Sequence, residues 1–288
     1  MNNFAFLLVN YNNLYDTNRC IESIRKQVTA GTKVEIFIYD NSPSLGKYPK
    51  GVKVFGTGEN IGFAKACNLL AIEAAKTSQN LVFLNNDTEL GPDFIKTLFK
   101  IKAKLEGKIA VCPLIYDENK HIWFSGGIFR KNICRPETSQ LSIDTPMASQ
   151  FLTGCCIIIS SKNWINSGGF DENFFLYYED VDWSIRVKDI LSLEVDPSLK
   201  ITHYSHSTTG HARGPIQTYF QTRNNLYLAK KLHKLHFNIP YMILLSVKRI
   251  INLCFLPSPQ KKLTLKMLFL AWIDFVKNQY GKGSFVQN

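Results

Sequence analysis

The sequence lacks paired-cysteine motifs and the glycine-rich signatures of common nucleotide-binding folds. Its seven cysteines form no C-x-x-C pair, which disfavours a zinc knuckle, and such an odd, unpatterned set indicates a reducing compartment. Neither G-x-G-x-x-G nor a Walker A sequence occurs. These absences disfavour a Rossmann-type dehydrogenase and give no sign of a P-loop.

The sequence also lacks a secretion signal and an uninterrupted apolar run of membrane length. It enters a strand pattern at residues 4–9, without the basic, apolar and small-residue regions of a signal peptide. The most apolar long segment, residues 239–256, is interrupted by Lys248 and Arg249, which makes a membrane span unfavourable. Because no long polar low-complexity run or internal repeat occurs either, we expect a folded, cytoplasmic protein.

Acidic residues are scarce in the last part of the chain. Most of the formal net charge of +11 comes from the segment that begins at Lys230, which has ten basic residues and one acid, Asp274. Such a segment favours an anionic partner, either membrane lipid or nucleic acid, although a solvated face has the same composition. No nucleic-acid-reading module is recognisable, so we expect contact with the anionic inner face of the membrane and no nucleic acid. A homodimer contact, or packing on the rest of the chain, uses the same helices equally well.

Strand and helix patterns alternate through the first part of the chain. Strands are predicted at six places: residues 4–9, 34–39, 52–55, 81–85, 109–115 and 156–160. Because amphipathic helices separate the early strands, the pattern predicts an α/β fold with a mostly parallel central sheet flanked by helices.

The later part of the chain is less regular. Residues 117–149 are predicted to be loop-rich, residues 179–190 helical, and residues 199–204 a strand that follows a break at Asp196–Pro197. From about Pro215 the pattern is helical, and three prolines are expected to divide it: Pro240, Pro257 and Pro259. We therefore expect an α/β domain over residues 1–214 and a basic, aromatic helical region over residues 215–288.

Polar residues follow three of the predicted parallel strands. They lie at residues 10–12, 40–42 and 85–87, each directly after a buried strand. Since the carboxyl ends of parallel strands share one edge of the sheet, where ligands bind in such folds, we expect the three clusters to converge on one crevice. Each cluster alone is also typical of a turn or a helix cap.

Several polar residues have the chemistry to bind a metal, to act as a base or to contact a nucleotide. Asp87 and His203 are candidate ligands of Mn²⁺ or Mg²⁺, with His206 and His211 as competing imidazoles. Three acids at one helix start are candidate bases: Glu179, Asp180 and Asp182. The helix dipole also favours acids there. Candidate nucleotide contacts are Asp40, Asn60, Gly62 and Asn68, where Gly62 allows close backbone approach.

Eight segments together resemble family 2 glycosyltransferases, and among them the bacterial rhamnosyltransferase-like branch. They occur in family order over about four-fifths of the chain: VNYNN (9–13), DNS (40–42), ENIGFAKACN (59–68), FLNNDTEL (83–90), FLTGCCIIIS (151–160), GGFDENFFLYYEDVDWSIR (168–186), ITHYSHST (201–208) and YFQTRNNLYLAKK (219–231). The resemblance implies the GT-A fold, with residues 1–214 as its Rossmann-like catalytic domain.

The resemblance also implies a role for each matching residue. Nucleotide-sugar contacts are implied for Asn10, Asp40, Asn60, Gly62, Phe63, Asn68, Asn85, Asn86 and Gly154. Asp87 matches the metal-binding aspartate of the family's D-x-D motif, in which Asn85 replaces the first aspartate, and His203 matches its late metal-binding histidine. Asp180 matches the catalytic base, with Glu179 orienting it or meeting the acceptor. Asp171, Phe174 and Phe175 are expected to line the acceptor cleft.

The resemblance implies an inverting, metal-dependent transfer from a nucleotide diphosphate sugar to a lipid-linked glycan acceptor, as in the synthesis of O-antigen or capsule. We take dTDP-L-rhamnose as the first choice of donor. UDP-galactofuranose, UDP-glucose and UDP-N-acetylhexosamine stay open, because one or two pocket residues decide among them. A nucleotide-sugar-binding protein without catalysis is the further alternative, since Asn85 departs from the motif.

Overall fold

The computed structural model describes residues 3–204, 214–255 and 260–284. Its twelve strands within those ranges are β1 Phe4–Asn10, β2 Val34–Asp40, β3 Lys53–Phe55, β4 Asn80–Leu84, β5 Thr88–Leu90, β6 Ile109–Tyr116, β7 Ile122–Phe124, β8 Gly127–Arg130, β9 Arg135–Thr138, β10 Met147–Ala148, β11 Cys156–Ser160 and β12 Ser192–His203. The helices are α1 Leu14–Arg25, α2 Phe63–Ala75, α3 Phe94–Lys100, α4 Lys102–Leu105, α5 Ser161–Asn166, α6 Glu179–Val187, α7 Pro215–Lys231, α8 Leu235–Phe255 and α9 Lys261–Val276.

The central sheet has the strand order β10-β12-β6-β11-β4-β1-β2-β3. Strands β3, β2, β1 and β4 are mutually parallel, and β12 is parallel to β6. Strand β11 lies between β4 and β6 and is antiparallel to both. The α/β architecture with a mostly parallel sheet is therefore confirmed, and its C-terminal helices are present.

The sheet has its topological switch at β1, because β2 pairs on one side of β1 and β4 on the other. A crevice opens where the strand order reverses in this way, outside the carboxyl ends of the strands. Strands β1, β2, β4, β6 and β11 are buried along most of their length. Helices α1 and α2 contribute residues such as Ile21, Ile24, Leu70 and Ala71 to the same core. The polar residues that follow β1, β2 and β4 are thus held by a rigid base.

The C-terminal helices pack on one another and on the α/β part. Leu228 and Ala229 of α7 join the main core, and a second apolar cluster joins Phe175 to residues of α7 and α9. Trp272 of α9 donates a hydrogen bond from its indole N–H to Ser246 Oγ of α8, at 3.1 Å. Within the described ranges, no helix is both long and apolar enough to cross a membrane.

Three secondary-structure predictions were wrong in detail. Residues 117–149 contain four short strands, β7 to β10, that the irregular pattern did not indicate. The break expected at Asp196–Pro197 is a register irregularity inside β12, between Asp196 and Lys200. Pro240 lies inside α8 and does not divide it, while Pro257 and Pro259 lie outside the described residues.

Six cysteines carry no disulfide and are buried: Cys20, Cys67, Cys112, Cys134, Cys155 and Cys156. Burial raises the pKa of the Cys20 thiol to about 12, with a nearby Asp87 charge adding to the effect. A buried protonated thiol packs as a small apolar group. These cysteines therefore belong to the core.

Candidate functional site

Asn10 and Asp40 end two neighbouring strands and are bonded to each other. They are register partners in β1 and β2, and Asn10 Nδ2 donates to Asp40 Oδ1 at 2.9 Å. Asp40 Oδ2 accepts from Gly46 N at 2.8 Å and from the Tyr48 hydroxyl at 2.6 Å. Burial acts to raise the pKa of Asp40, but these hydrogen bonds outweigh it and hold the pKa below its usual value. Asp40 is therefore an ionised anchor of the crevice.

Asn86 joins the end of β4 to the same cluster. Its Nδ2 donates to Thr17 Oγ1 at 2.8 Å, and Thr17 in turn donates to Asn10 Oδ1 at 3.0 Å. Asn85 lies one residue earlier with its side chain half-buried, and its backbone N–H donates to Cys155 O at 2.9 Å. The first and third polar clusters thus meet, as the sequence predicted from their positions at strand ends, and Asn86 fixes them together.

Asp87 and His203 face each other although 116 positions separate them in the sequence. Strand β12 pairs with β5, and His203 Nε2 lies 3.2 Å from Asp87 Oδ1. The distance suits an ion pair, but the angles give no hydrogen bond, and Asp87 Oδ1 and His203 Nδ1 are buried without a hydrogen-bond partner in the described part of the chain. Trp123 packs edge-on against the imidazole, with ring centroids 4.7 Å apart. A carboxylate and an imidazole therefore converge on one place without bonding each other. His206 and His211 lie outside the described residues.

Glu179 and Asp180 are the first two residues of α6 and lie beside Gly154, just before β11 begins at Cys156. Gly154 N donates to Asp180 Oδ2 at 2.7 Å, and a methyl group built on Gly154 would lie 3.5 Å from carboxyl oxygens of both acids. Burial raises the pKa of both carboxyls, and the charge of Asp180 raises that of Glu179 further. The hydrogen bond from Gly154 acts in the other direction on Asp180.

Asp182 is the third acid of this helix start, and ion pairs occupy it. Its Oδ2 lies 2.8 Å from Arg186 Nε and its Oδ1 2.6 Å from Lys231 Nζ. Of the three carboxylates at this helix start, Asp182 is therefore the one neutralised by two cations.

A short series of contacts joins Asp180 at the start of α6 to the end of β4, beside the candidate metal ligand Asp87. Asn85 N bonds Cys155 O, and the residue before Cys155, Gly154, bonds Asp180. Leu84 and Cys156 are register partners across β4 and β11. Asp87 and Asp180 consequently lie at the same edge of the sheet.

The Asn60–Asn68 segment is held by protein contacts. Asn60 Oδ1 accepts from Gly62 N at 3.0 Å, and Phe63 N donates to Phe175 O at 2.7 Å. Gly62 has φ +90°, and a methyl group on it would lie 2.7 Å from the Phe175 ring. The structure thus gives a close approach to Phe175 as a reason for this glycine, and its predicted nucleotide contact stays a prediction. Phe63 is half-buried and packs against the main core.

Asn68 clamps a distant loop. It donates to Phe170 O at 2.9 Å and accepts from Phe170 N at 3.0 Å, 102 positions along the chain. Its predicted nucleotide contact stays a prediction, and the structure supplies a different reason for an amide at this position.

The three residues expected at the acceptor cleft have packing contacts. Asp171 accepts from Lys231 Nζ at 2.7 Å and from the Tyr227 hydroxyl at 3.1 Å. Phe174 is fully buried against the Tyr227 ring, and Phe175 stacks on Phe220 with centroids 5.3 Å apart. Their acceptor role stays a prediction.

Sequence reasoning missed Tyr48 and Trp123. Tyr48 donates to Asp40 and Trp123 contacts His203 from a stretch predicted to be loop. Neither lies in a periodic pattern, so the sequence offered no signal for either residue beyond its aromatic ring.

The comparison of sequences identifies the family. The family described as "Glycosyl transferase family 2" matches residues 6–163, more than half of the chain. A Shigella flexneri protein described as "dTDP-rhamnosyl transferase RfbF" is 23% identical over 303 residues, covering 98% of each chain. The "N-acetylglucosaminyl-diphospho-decaprenol L-rhamnosyltransferase" of Mycobacterium tuberculosis is 25% identical over 215 residues, which cover 62% of this chain and 68% of that protein.

Solved structures show the same fold at low sequence identity. GalNAc-T7, solved with UDP, GalNAc and Mn²⁺, superimposes with a TM-score of 0.61 at 18% identity over 79% of this chain, which spans only 48% of GalNAc-T7. Residues 1–349 of TarS from S. aureus give a TM-score of 0.54 at 14% identity, covering 96% of this chain and 73% of theirs. With the GT-A architecture, the converging acids and the family match in place, the chain belongs to glycosyl transferase family 2, in its bacterial rhamnosyltransferase-like branch, and is a glycosyltransferase.

Proposed function

We propose that this enzyme transfers L-rhamnose from dTDP-L-rhamnose, with inversion and with the help of a divalent metal, to a hydroxyl of a lipid-linked glycan in surface polysaccharide synthesis. The observation that carries the proposal is the continuous set of contacts that brings Asp40, Asp87 and Asp180 to one edge of the sheet. Nucleotide, diphosphate and acceptor hydroxyl have to meet within one such crevice for a single displacement to occur.

Asp180 is the general base of the proposed transfer. One carboxyl oxygen is held by Gly154 N and the other by the backbone N–H of Val181, at 2.7 and 2.8 Å, so the carboxylate has a fixed orientation at the rim of the crevice. Burial raises its pKa, which makes the carboxylate a stronger base toward a sugar hydroxyl. Asp180 takes the hydroxyl proton as the oxygen attacks the anomeric carbon from the face opposite the diphosphate. Glu179, whose Oε2 is buried beside it, positions the acceptor.

The metal proposal rests on the approach of His203 Nε2 to Asp87 Oδ1, at 3.2 Å, and on the burial of that carboxylate oxygen without a hydrogen-bond partner in the described part of the chain. A carboxylate and an imidazole suit Mn²⁺, and no group of three or more His, Cys, Asp or Glu side chains with metal-site geometry occurs in the described ranges. Two protein ligands are enough where substrate phosphates and water complete the shell. When bound there, the ion would neutralise charge that develops on the leaving diphosphate. Asp87 and His203 would hold it, and Trp123 keeps the imidazole in place.

The choice of donor and acceptor follows the relatives. Two of them carry rhamnosyl transfer in their names, and the mycobacterial one also names a diphospho-decaprenol acceptor. These names support dTDP-L-rhamnose over UDP-galactofuranose, UDP-glucose and UDP-N-acetylhexosamine, and a lipid-linked acceptor over a free sugar. A non-catalytic binding protein, kept open by Asn85, is disfavoured because the base and both metal candidates are present.

An anionic lipid bilayer is the proposed partner of the C-terminal helices. One face of α8 exposes a stripe of apolar side chains: Phe237, Ile243, Leu244, Val247 and Ile251. Exposed Lys248 borders this stripe, and three more exposed lysines lie on the neighbouring α9 or directly after it: Lys262, Lys266 and Lys277. The only acid in either helix, Asp274, is fully buried. An outward apolar stripe beside uniformly positive charge matches the interface of an anionic membrane, where a lipid-linked acceptor would be found.

A donor screen tests the proposed reaction. The wild type and Asp180→Asn are melted with each candidate donor, with Mn²⁺ or with EDTA, and transfer is followed by release of the nucleoside diphosphate. We expect dTDP-L-rhamnose with Mn²⁺ to raise the melting temperature of both proteins by mass action. Transfer by Asp180→Asn should fall by about 10²–10⁴-fold, the usual contribution of a general base.

The matched control is Asp189→Asn, the same change at an exposed position just beyond α6. It should transfer like the wild type. If Asp180→Asn keeps wild-type turnover, Asp180 is not the general base. If only a UDP-sugar raises the melting temperature, that sugar replaces dTDP-L-rhamnose as the proposed donor.

A further inference from the structure

Helix α7 buries polar side chains that the proposed chemistry does not use. Arg223 and Asn224 are fully buried in adjacent positions, and Asn225 is nearly so. Burial of an arginine and two asparagines is unfavourable unless each hydrogen bond is satisfied. Their partners therefore show what this arrangement accomplishes.

Asn224 bonds to the segment that leads into the catalytic pair. Its Nδ2 donates to Leu176 O at 2.9 Å and to Tyr177 O at 2.8 Å. Its Oδ1 accepts from Arg223 Nε at 3.1 Å and Nη2 at 3.0 Å. One amide thus holds two consecutive carbonyl groups, and the guanidinium holds the amide in the required orientation.

The held segment has an unfavourable backbone conformation. Tyr177 has φ +66° and Tyr178 has φ +74°, and Tyr178 is the residue directly before α6. Two successive side-chain-bearing residues in the left-handed region persist only where surrounding contacts impose them. Asn225 adds a contact, since its Nδ2 donates to the Tyr178 hydroxyl at 2.9 Å.

We propose that Asn224 is a positioning residue for the catalytic pair: by holding the carbonyl groups of Leu176 and Tyr177 it fixes the left-handed turn before α6. That turn sets the place and direction of the Glu179 and Asp180 carboxyls relative to Gly154. The inference rests on the proposed function, because it takes Asp180 as the base.

The hold on this turn extends to the end of the described chain. Arg223 Nη1 donates to the Tyr219 hydroxyl at 3.3 Å, and that hydroxyl bonds Asp274 of α9. Asp274 also accepts from Ser284 N at 2.7 Å, and Gly281 N donates to Asn173 O at 2.9 Å. The C-terminal segment therefore supports the same turn from a second side, through Tyr219 and Arg223.

Asn224→Asp tests the proposal with almost no change of shape. The carboxylate keeps oxygens for Arg223 but cannot donate to the two carbonyl groups. We expect kcat to fall by at least about 30-fold, because a base displaced by about 1 Å loses on the order of 10²-fold. The donor KM and the donor-induced shift in melting temperature should stay within about threefold and a few degrees of wild type, since the nucleotide contacts are untouched. Tyr219→Phe, which removes one oxygen from the remote part of the network, should lower kcat by about fivefold.

Asn3→Asp is the control for generic loss of stability. Asn3 is also buried, and its Nδ2 donates to Thr77 O at 3.0 Å far from α6. We expect it to lower the melting temperature while kcat stays within about twofold of wild type, because distant sites act independently. Amide hydrogen exchange over residues 176–182 supplies a readout that needs no turnover. Exchange there should be faster in Asn224→Asp and unchanged in Asn3→Asp.

Several results overturn the proposal. Wild-type kcat in Asn224→Asp, or a raised donor KM with unchanged kcat, would show that Asn224 does not place the base. If Asn224→Asp does not fold, Tyr219→Phe decides, and an unchanged kcat there contradicts the proposal. A wild type that transfers from no donor refutes the proposed function instead, and hydrogen exchange then decides the positioning role alone.

Discussion

Glu179 occupies an environment that is unfavourable for a charged group. It is buried, its Oε2 has no hydrogen-bond partner within the described ranges, and Asp180 lies next to it. Burial first, and the neighbouring charge second, raise its pKa well above the usual value. A neutral side chain here would favour folding, so this unfavourable carboxyl agrees with the acceptor-positioning role that we propose for Glu179.

We predict that Glu179→Gln stabilises the protein at neutral pH and impairs transfer. A carboxyl whose pKa is higher in the folded state contributes stability below the unfolded-state pKa, and that stability is lost as pH rises through the folded pKa. The glutamine removes this loss, so its melting temperature should exceed that of wild type at neutral pH, and the two should converge at low pH. Melting curves over a pH series measure the difference.

Glu22→Gln serves as the control, because Glu22 is exposed on α1 and the change of charge is the same. It should follow the wild type across the series. A Glu179→Gln protein less stable than wild type at neutral pH would show that the carboxylate is well solvated, contrary to the burial described above.

Residue positions at strand ends could be predicted, but their long-range partners could not. Asn10, Asp40 and Asn86 converge because the carboxyl ends of parallel strands share an edge. In contrast, Asn68 bonds Phe170 across 102 positions, and no local pattern indicates which loop a helix residue will clamp. The sequence therefore indicated where the crevice lies and left open which amides shape it.

At the scale of elements, the turn into α2 and the loop before α6 are packed against each other through a glycine. Gly62 has φ +90°, and a methyl group there would lie 2.7 Å from Phe175 Cδ2 and 2.8 Å from Phe175 O. The Phe175 carbonyl already accepts from Phe63 N at 2.7 Å. This contact places α2 beside the segment that leads to Glu179 and Asp180 at the start of α6.

We predict that Gly62→Ala lowers the free energy of unfolding by about 2–4 kcal/mol, the sum of a left-handed side-chain residue and an overpacked contact. It should also reduce transfer, because Phe175 lies four residues before Glu179. Urea unfolding measures the stability. Gly31→Ala is the control: Gly31 has φ +94° but nothing within 4 Å of the added methyl group. Equal losses in the two variants would mean that Phe175 moves aside freely.

Elements interrupted by proline were the least predictable. Pro197 does not end β12, because the register shifts between Asp196 and Lys200 and the Asp196 carboxylate accepts from Ser198 N at 3.0 Å. Pro240 does not end α8, whose buried residues Asn238 and Met242 flank it. In both cases tertiary contacts outweigh a local signal that is usually reliable.

At the scale of the whole molecule, the alternation of strands and helices was enough to predict a mostly parallel sheet, but not its complete order. The insertion of β11 antiparallel between β4 and β6 depends on contacts far apart in the sequence. That insertion brings Gly154 to Asp180 and so completes the site. The sequence also predicted the C-terminal helices. It could not predict which apolar side chains of α8 are exposed, because that depends on how α7 and α9 pack against α8.

We predict that the full chain binds vesicles containing phosphatidylglycerol, that it does not bind vesicles of phosphatidylcholine alone, and that salt weakens binding because the lysines of α8 and α9 are exposed. Leu244→Ser combined with Ile251→Ser should weaken binding by about 30-fold, from the loss of about 2 kcal/mol of apolar burial. Cosedimentation with vesicles measures both effects.

Ile72→Ser is the matched control, since Ile72 is 57% exposed on α2, and Leu244 is 66% exposed on α8. The control should bind vesicles like the wild type. If salt does not weaken vesicle binding, burial of the apolar stripe is the only attraction between the protein and the bilayer. A chain that ignores vesicles and forms a dimer in sedimentation velocity, lost in the Leu244→Ser and Ile251→Ser protein, would identify a second copy of the chain as the occupant of this surface. Vesicle binding and dimerisation through this stripe are not expected at the same time, because one stripe on α8 has room for one partner at a time.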